Sequence, residues 1–260
     1  MSKLKIIDTI KRSFTLLKKD PTLIALFILP AIIPTTSIIT SYLSTSILSG
    51  TPQNTPPTLF ILLSILFSIV GLLFEVWASA AAILKVTELE KGSELGLKEA
   101  LSRGLKKVPR LLVPAIAGLA IHVLLYTSLM IALINYMFTG MSPLVQGVEP
   151  SIIVLRIAMG FIFIIGLYVA IRLRLYAPAC VLENNFGLKT SWKLVQGNWW
   201  RLFAIVLIFG AMSVIISQIP LIGSFLSGLI VNPFTITALT LVYFRLREAE
   251  SSGEERTEFL

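Results

Sequence analysis

His122 is the only histidine in the 260-residue chain and Cys180 the only cysteine. A metal pair built on two histidines, a triad needing a second histidine and an intramolecular disulfide are therefore all excluded. No Gly-rich phosphate loop of the Walker type occurs. The acidic cluster Glu88, Glu90, Glu94 and Glu99 is interleaved with Lys85, Lys91 and Lys98, which is the pattern of a charge-balanced solvated surface rather than a metal site. We expect no enzyme, no metal and no cofactor. What remains for chemistry is polar residues inside apolar stretches, which are costly there and tend to have a function. Glu75 stands in SIVGLLFEVWASAAA, ten residues before Lys85. That spacing predicts a depth of roughly 15 Å, where Glu75 is expected either to turn into a helix bundle toward a partner or to be protonated. His122, Arg156 and Arg172 are its candidate companions, serving either a substrate or proton site or a structural pair between helices. Ser37, Thr40, Ser41 and Ser44, continued by Thr45, form a hydroxyl stripe at helical spacing that either packs against a neighbouring helix or lines a wet path. Arg156, Arg172 and Arg174 read as anchors that snorkel to the membrane surfaces.

The elements holding these residues are apolar helices. The chain is 55% hydrophobic and 14% charged, where a soluble domain is about 25% charged. A span needs about 20 apolar residues, and six segments qualify: 21–48, 57–84, 111–138, 151–181, 200–219 and 221–244. The expected fold is all-α: a polytopic integral membrane protein with six transmembrane helices over residues 1–247. An acidic, mobile tail follows at 248–260. The net charge of +8 does not indicate nucleic acid. In a six-span arrangement all 22 Lys and Arg residues except Arg156 fall on one side. Lys and Arg resist translocation, so both termini are expected in the cytoplasm and the protein in the cell membrane.

Basic segments precede the odd-numbered spans. LGLKEALSRGLKKVPRLL (95–112) and FGLKTSWKLVQGNWWRL (186–202) share a GLK opening, and IIDTIKRSFTLLKKD from Ile6 has the same character. Leu97, Leu101, Gly104 and Val108 in the second correspond to Leu188, Trp192, Val195 and Trp199 in the third, with Ile10, Phe14 and Leu17 in equivalent places. Spacings of three and four residues put each set on one helical face. Lys98, Arg103, Lys106 and Lys107 lie on the other face, as do Lys189 and Lys193. Each segment is predicted to be an interfacial amphipathic helix with its apolar side among acyl chains. Basic residues, with Trp199, Trp200 and Arg201, would contact the anionic cytoplasmic leaflet. Two explanations remain open. The chain is three parallel repeats (1–90, 91–182 and 183–247) of an interfacial helix plus two spans, with a period of about 90 residues, or its basic loops have converged in length.

The stretch PACVLENNFGLKTSWKLVQGNWWRLF, followed by NPFTITALTLVYFRLR, resembles a known family. It is similar to the membrane domain attached to some bacterial glycerophosphodiester phosphodiesterases and to stand-alone multi-span relatives. The matching residues are Glu183, Gly187, Ser191-Trp192, Gly197, Trp199, Trp200 and Arg201, then Pro233, Tyr243, Phe244 and Arg247. The resemblance covers residues 178–247 and implies a multi-span helical protein. It implies no phosphodiesterase activity, because that hydrolase is a separate soluble barrel. The function expected is a non-catalytic membrane module that organises lipid or assists a membrane partner, alone or as a homo-oligomer. The alternative is a transporter of a small solute or lipid with a polar site deep in the membrane.

Overall fold

A computed structural model of the protein describes residues 5–33, 57–140, 150–183, 185–220 and 222–258, and no strand occurs among them. The helices are α1 (Ile6–Lys19), α2 (Thr22–Ala25), α3 (Pro57–Glu90), α4 (Leu97–Leu105), α5 (Val108–Gly140), α6 (Pro150–Arg172), α7 (Tyr176–Glu183), α8 (Leu188–Val195), α9 (Trp199–Ser217) and α10 (Gly223–Glu258), with a further helical stretch at 28–33. Both α3 and α6 begin at a proline, whose missing N–H is not needed at the first helical position. Among the described residues five segments are long and apolar enough to cross a membrane: Ile65–Glu90, Val108–Ile131, Ile157–Glu183, Trp199–Ser217 and Gly223–Ser251. The protein is an all-α polytopic membrane protein. Of the first expected span, residues 34–48 lie outside the described residues.

Two expectations need correction. The fourth span is not one helix: it breaks at 173–175, and Pro178 sits in the first turn of α7, where its missing N–H breaks no ladder. A broken helix in an apolar setting must find partners for its freed backbone groups. Ser191 of α8, fully buried, supplies them by accepting from Leu175 N (3.1 Å) and donating to the Arg172 carbonyl (2.8 Å). The second correction concerns the tail. Helix α10 continues to Glu258, and Glu250 is ion-paired to Lys193 of α8 (2.6 Å) and to Arg247 (2.8 Å). At least to Glu250, the acidic end is therefore tied to the bundle.

The three short basic helices α1, α4 and α8 share a pattern. Each ends just before an apolar stretch begins, at Pro21, Val108 and Trp199. Ser13, Ala100 and Ser191 occupy matched places and are fully buried, and Leu17, Gly104 and Val195 are buried one turn later. Helix α4 packs on α3, α8 on α7 and α10, and α1 on α10, so the last long helix closes back on the first short one. Apolar clusters form where the short helices meet the long ones, for example Leu17 and Phe27 with Ala78, Ala82 and Leu241, or Val195 with Leu202 and Val242.

Small residues set the α3–α4 distance. Gly104 lies so near α3 that a Cβ there would be 2.9 Å from the backbone N of Ala81 and 3.1 Å from its Cβ. Close approach through small side chains is how apolar helices gain dispersion contacts in a bilayer. Gly104→Val should push α4 off α3. A shift of about 1–3 kcal/mol is the usual cost of such overpacking, and a drop in the thermal unfolding midpoint of the purified protein would record it. An unchanged midpoint would mean that α4 docks elsewhere.

Candidate functional site

The short helices are docked by one edge only. Along their other edge Phe14 is 59% exposed, Leu105 58%, Trp192 41% and Trp200, at the start of α9, 75%. The expected apolar face is thus split. The Leu17, Gly104 and Val195 side is buried in protein, and the Phe14 and Trp192 side is only partly covered, Phe14 by the Phe234 ring of α10 and Trp192 by Arg172 and Tyr168. Lys98, Arg103, Lys106, Lys189 and Lys193 are exposed, while Lys107 and Arg201 are half-buried. Arg103 pairs with Glu99 (2.5 Å), and Arg201 donates to the Asn198 side-chain oxygen (3.4 Å).

Aromatic rings gather at the join of α6, α8 and α9. Arg172 donates from Nε and Nη2 to the Tyr168 hydroxyl (3.0 and 2.7 Å) and from Nη1 to the Trp192 carbonyl (2.9 Å). Its guanidinium lies 5.2 Å from the Tyr168 ring centre and 5.1 Å from that of Trp192, within cation–π range. Trp199 is stacked on Tyr168 and on Phe203, and its Nε1 donates to the Tyr168 carbonyl (3.3 Å). Trp199 therefore holds the join together, whereas Trp200 projects outward. Arg172 is not a companion of Glu75 here; its hydrogen bonds go to α6 and α8.

Residues quoted for the resemblance also meet. Glu183 accepts from the Tyr243 hydroxyl (2.7 Å), the Thr190 hydroxyl (2.7 Å) and the Asn185 amide (3.0 Å), with Arg247 at 3.5 Å. One carboxylate thereby ties α7, α8 and α10 at the basic end of the bundle.

Sequence reasoning placed Lys85 in a polar loop. It is 4% exposed, paired with Asp20 (2.8 Å), and donates to the Leu95 carbonyl (2.6 Å). A signal for this was available: Lys85 follows Ala78 and Ala81 at seven and four residues, on their buried face. Asp20 in turn accepts from the backbone N and hydroxyl of Thr22 (3.1 and 2.5 Å), the first residue of α2.

Glu75 does not turn into the bundle; it is exposed on α3. Nor is it far from the basic end, because Trp77, two residues on, donates from Nε1 to the Leu101 carbonyl of α4 (2.8 Å). Helix α4 descends along α3 and brings the polar layer almost level with Glu75. Its charge is felt by Arg174 and Tyr176. Arg174 is partly exposed, but its Nε is buried and has no hydrogen-bond partner among the described residues. Ser37, Thr40, Ser41 and Ser44, and the side chains of His122 and Arg156, lie outside the described residues. Among the described residues no group of His, Cys, Asp and Glu is arranged to hold a metal. Cys180 is buried.

No curated protein and no solved structure matches the chain. One family model, described as a domain of unknown function (DUF7847), matches residues 4–246. That match takes in every helix from α1 to α9 and most of α10, and the protein belongs to the DUF7847 family.

Proposed function

We propose that the protein is a non-catalytic membrane module that gathers anionic lipid on the cytoplasmic side through α1, α4, α8 and the start of α9. The observation carrying this reading is the half-docked state of those helices. One edge is locked to the bundle, while the other presents Phe14, Leu105, Trp192 and Trp200 beside exposed lysines. A partly exposed apolar edge beside ammonium groups matches the boundary between acyl chains and anionic headgroups. The rings suit that depth as well.

Lipid retention tests it. Nanodiscs containing equal phosphatidylglycerol and phosphatidylcholine should yield protein enriched in phosphatidylglycerol. Each Lys near the surface contributes about 1 kcal/mol. Changing Lys98, Lys106, Lys107 and Lys189 together to Gln should therefore lower the enrichment at least tenfold, roughly 1.4 kcal/mol by the usual conversion. Equal retention of the two lipids by wild type and variant would rule the reading out.

A further inference from the structure

The end of α10 reaches the lysines of α8. Leu246 is the last buried residue of α10 among the described residues. Past it, ion pairs tie the helix to its neighbours. Glu250 pairs with Lys193 of α8 (2.6 Å) and Arg247 with Glu183 of α7 (3.5 Å), while Arg247 and Glu250 also pair with each other (2.8 Å). The Lys193 side chain is 66% exposed and follows the partly exposed Trp192 in the chain. A second anion can therefore reach its ammonium without any movement of α8.

Composition turns this contact into a contest. From Arg247 onward the chain carries five glutamates and two arginines. An anionic leaflet repels such a segment while it attracts Lys193. Exposed ion pairs are individually weak, and a leaflet offers many phosphates to one lysine. We propose that the acidic end of α10 is an autoinhibitory strap, with Glu250 occupying Lys193 until the phosphate of an anionic lipid displaces it. The strap rests on the lipid-gathering reading and adds its regulation. In a neutral membrane α10 stays fastened to α8. As anionic lipid accumulates, Lys193 passes to the leaflet and the helix end lets go past Leu246.

The full chain is placed in nanodiscs of phosphatidylcholine alone, or of equal phosphatidylcholine and phosphatidylglycerol. A nitroxide on Ser251→Cys reports the strap, because Ser251 is exposed and the native Cys180 is buried. The label should be immobile in phosphatidylcholine and mobile in the mixture. Glu250→Gln and Lys193→Gln should each make it mobile in both. Lipid retention should then separate the two variants. Glu250→Gln should raise phosphatidylglycerol enrichment about fivefold, the factor that one lysine contributes at an anionic surface. Lys193→Gln loses the cation itself and should not raise it. The same label spectrum in both membranes, or an enrichment that Glu250→Gln leaves unchanged, would overturn the strap and leave the lipid-gathering reading standing. Equal retention of the two lipids by wild type and Glu250→Gln would overturn both. Release of the label in phosphatidylcholine by millimolar glycerol phosphate would overturn the leaflet's part, by assigning Lys193 to a water-borne phosphate.

Discussion

Gly187→Ala should cost the fold roughly 3 kcal/mol, whereas Gly96→Ala, at the matching position of the second GLK segment, should cost about 1 kcal/mol or less. Gly187 has φ +69°, a left-handed conformation in which a Cβ is penalised by about 1–2 kcal/mol. Its Cβ would also fall on the Tyr176 carbonyl oxygen, 2.7 Å from the backbone N of Cys180 and 3.1 Å from Ala179 Cβ. Those atoms belong to α7, whose Ala179, Cys180 and Val181 are at most 1% exposed, so the helix has no room to retreat. Overpacking of this sort adds about 1–3 kcal/mol. Gly96 has φ −62° and ψ 147° with nothing within 4 Å, so alanine there loses only a mild preference at the helix start. Thermal unfolding of the two variants in the same mild detergent measures the contrast. Equal midpoints would show that α8 does not pack on α7 as described.

The second large effect is expected at the buried pair. Lys85→Met leaves Asp20 without its cation, and Asp20→Asn leaves a 4%-exposed ammonium without its anion. Removing one member of a buried pair costs about 3–5 kcal/mol, while replacing both often restores most of the loss. The double variant should therefore be more stable than Lys85→Met, and a double-mutant cycle on unfolding free energies isolates the coupling. A pH titration adds a check. Burial by itself pushes the Asp20 carboxyl up. The hydrogen bonds from Lys85 and Thr22 and the Lys85 charge outweigh burial and hold it below its ordinary value of 3.8. A carboxyl lowered by folding stabilises the protein above that value, and the stabilisation is lost as pH falls below it. Wild type should lose stability below about pH 4 by more than Asp20→Asn does. Parallel curves would mean that Asp20 is not the group bound to Lys85.

Much of the architecture was open to reading because hydropathy and charge act locally. An 18-residue apolar run must satisfy its own backbone whatever its neighbours do, so the spans appear as windows in the chain. The matched short helices were also legible, down to the correspondence of Leu17, Gly104 and Val195. What the face would touch was not. Amphipathicity states that one side avoids water, and both a bilayer and a bundle meet that demand. Here the bundle takes Leu17 and Val195 fully, while Phe14 and Trp192 keep about half their surface exposed beside Phe234 and Arg172.

The sequence by itself determined the all-helical, membrane-spanning character of this protein, the grouping of its basic residues on short helices and the lack of a histidine-based catalytic set. These follow from residue types and short-range periodicity. Tertiary structure alone decided that Gly96 is open and Gly187 wedged, that Lys85 is buried and Glu75 outward, that the fourth span breaks, and that Ser191 closes the break. Each of those depends on which backbone arrives beside a residue from far along the chain. Arg174 illustrates the difference most plainly. By its position it was a surface anchor, and only the packing around the 173–175 turn buried its Nε.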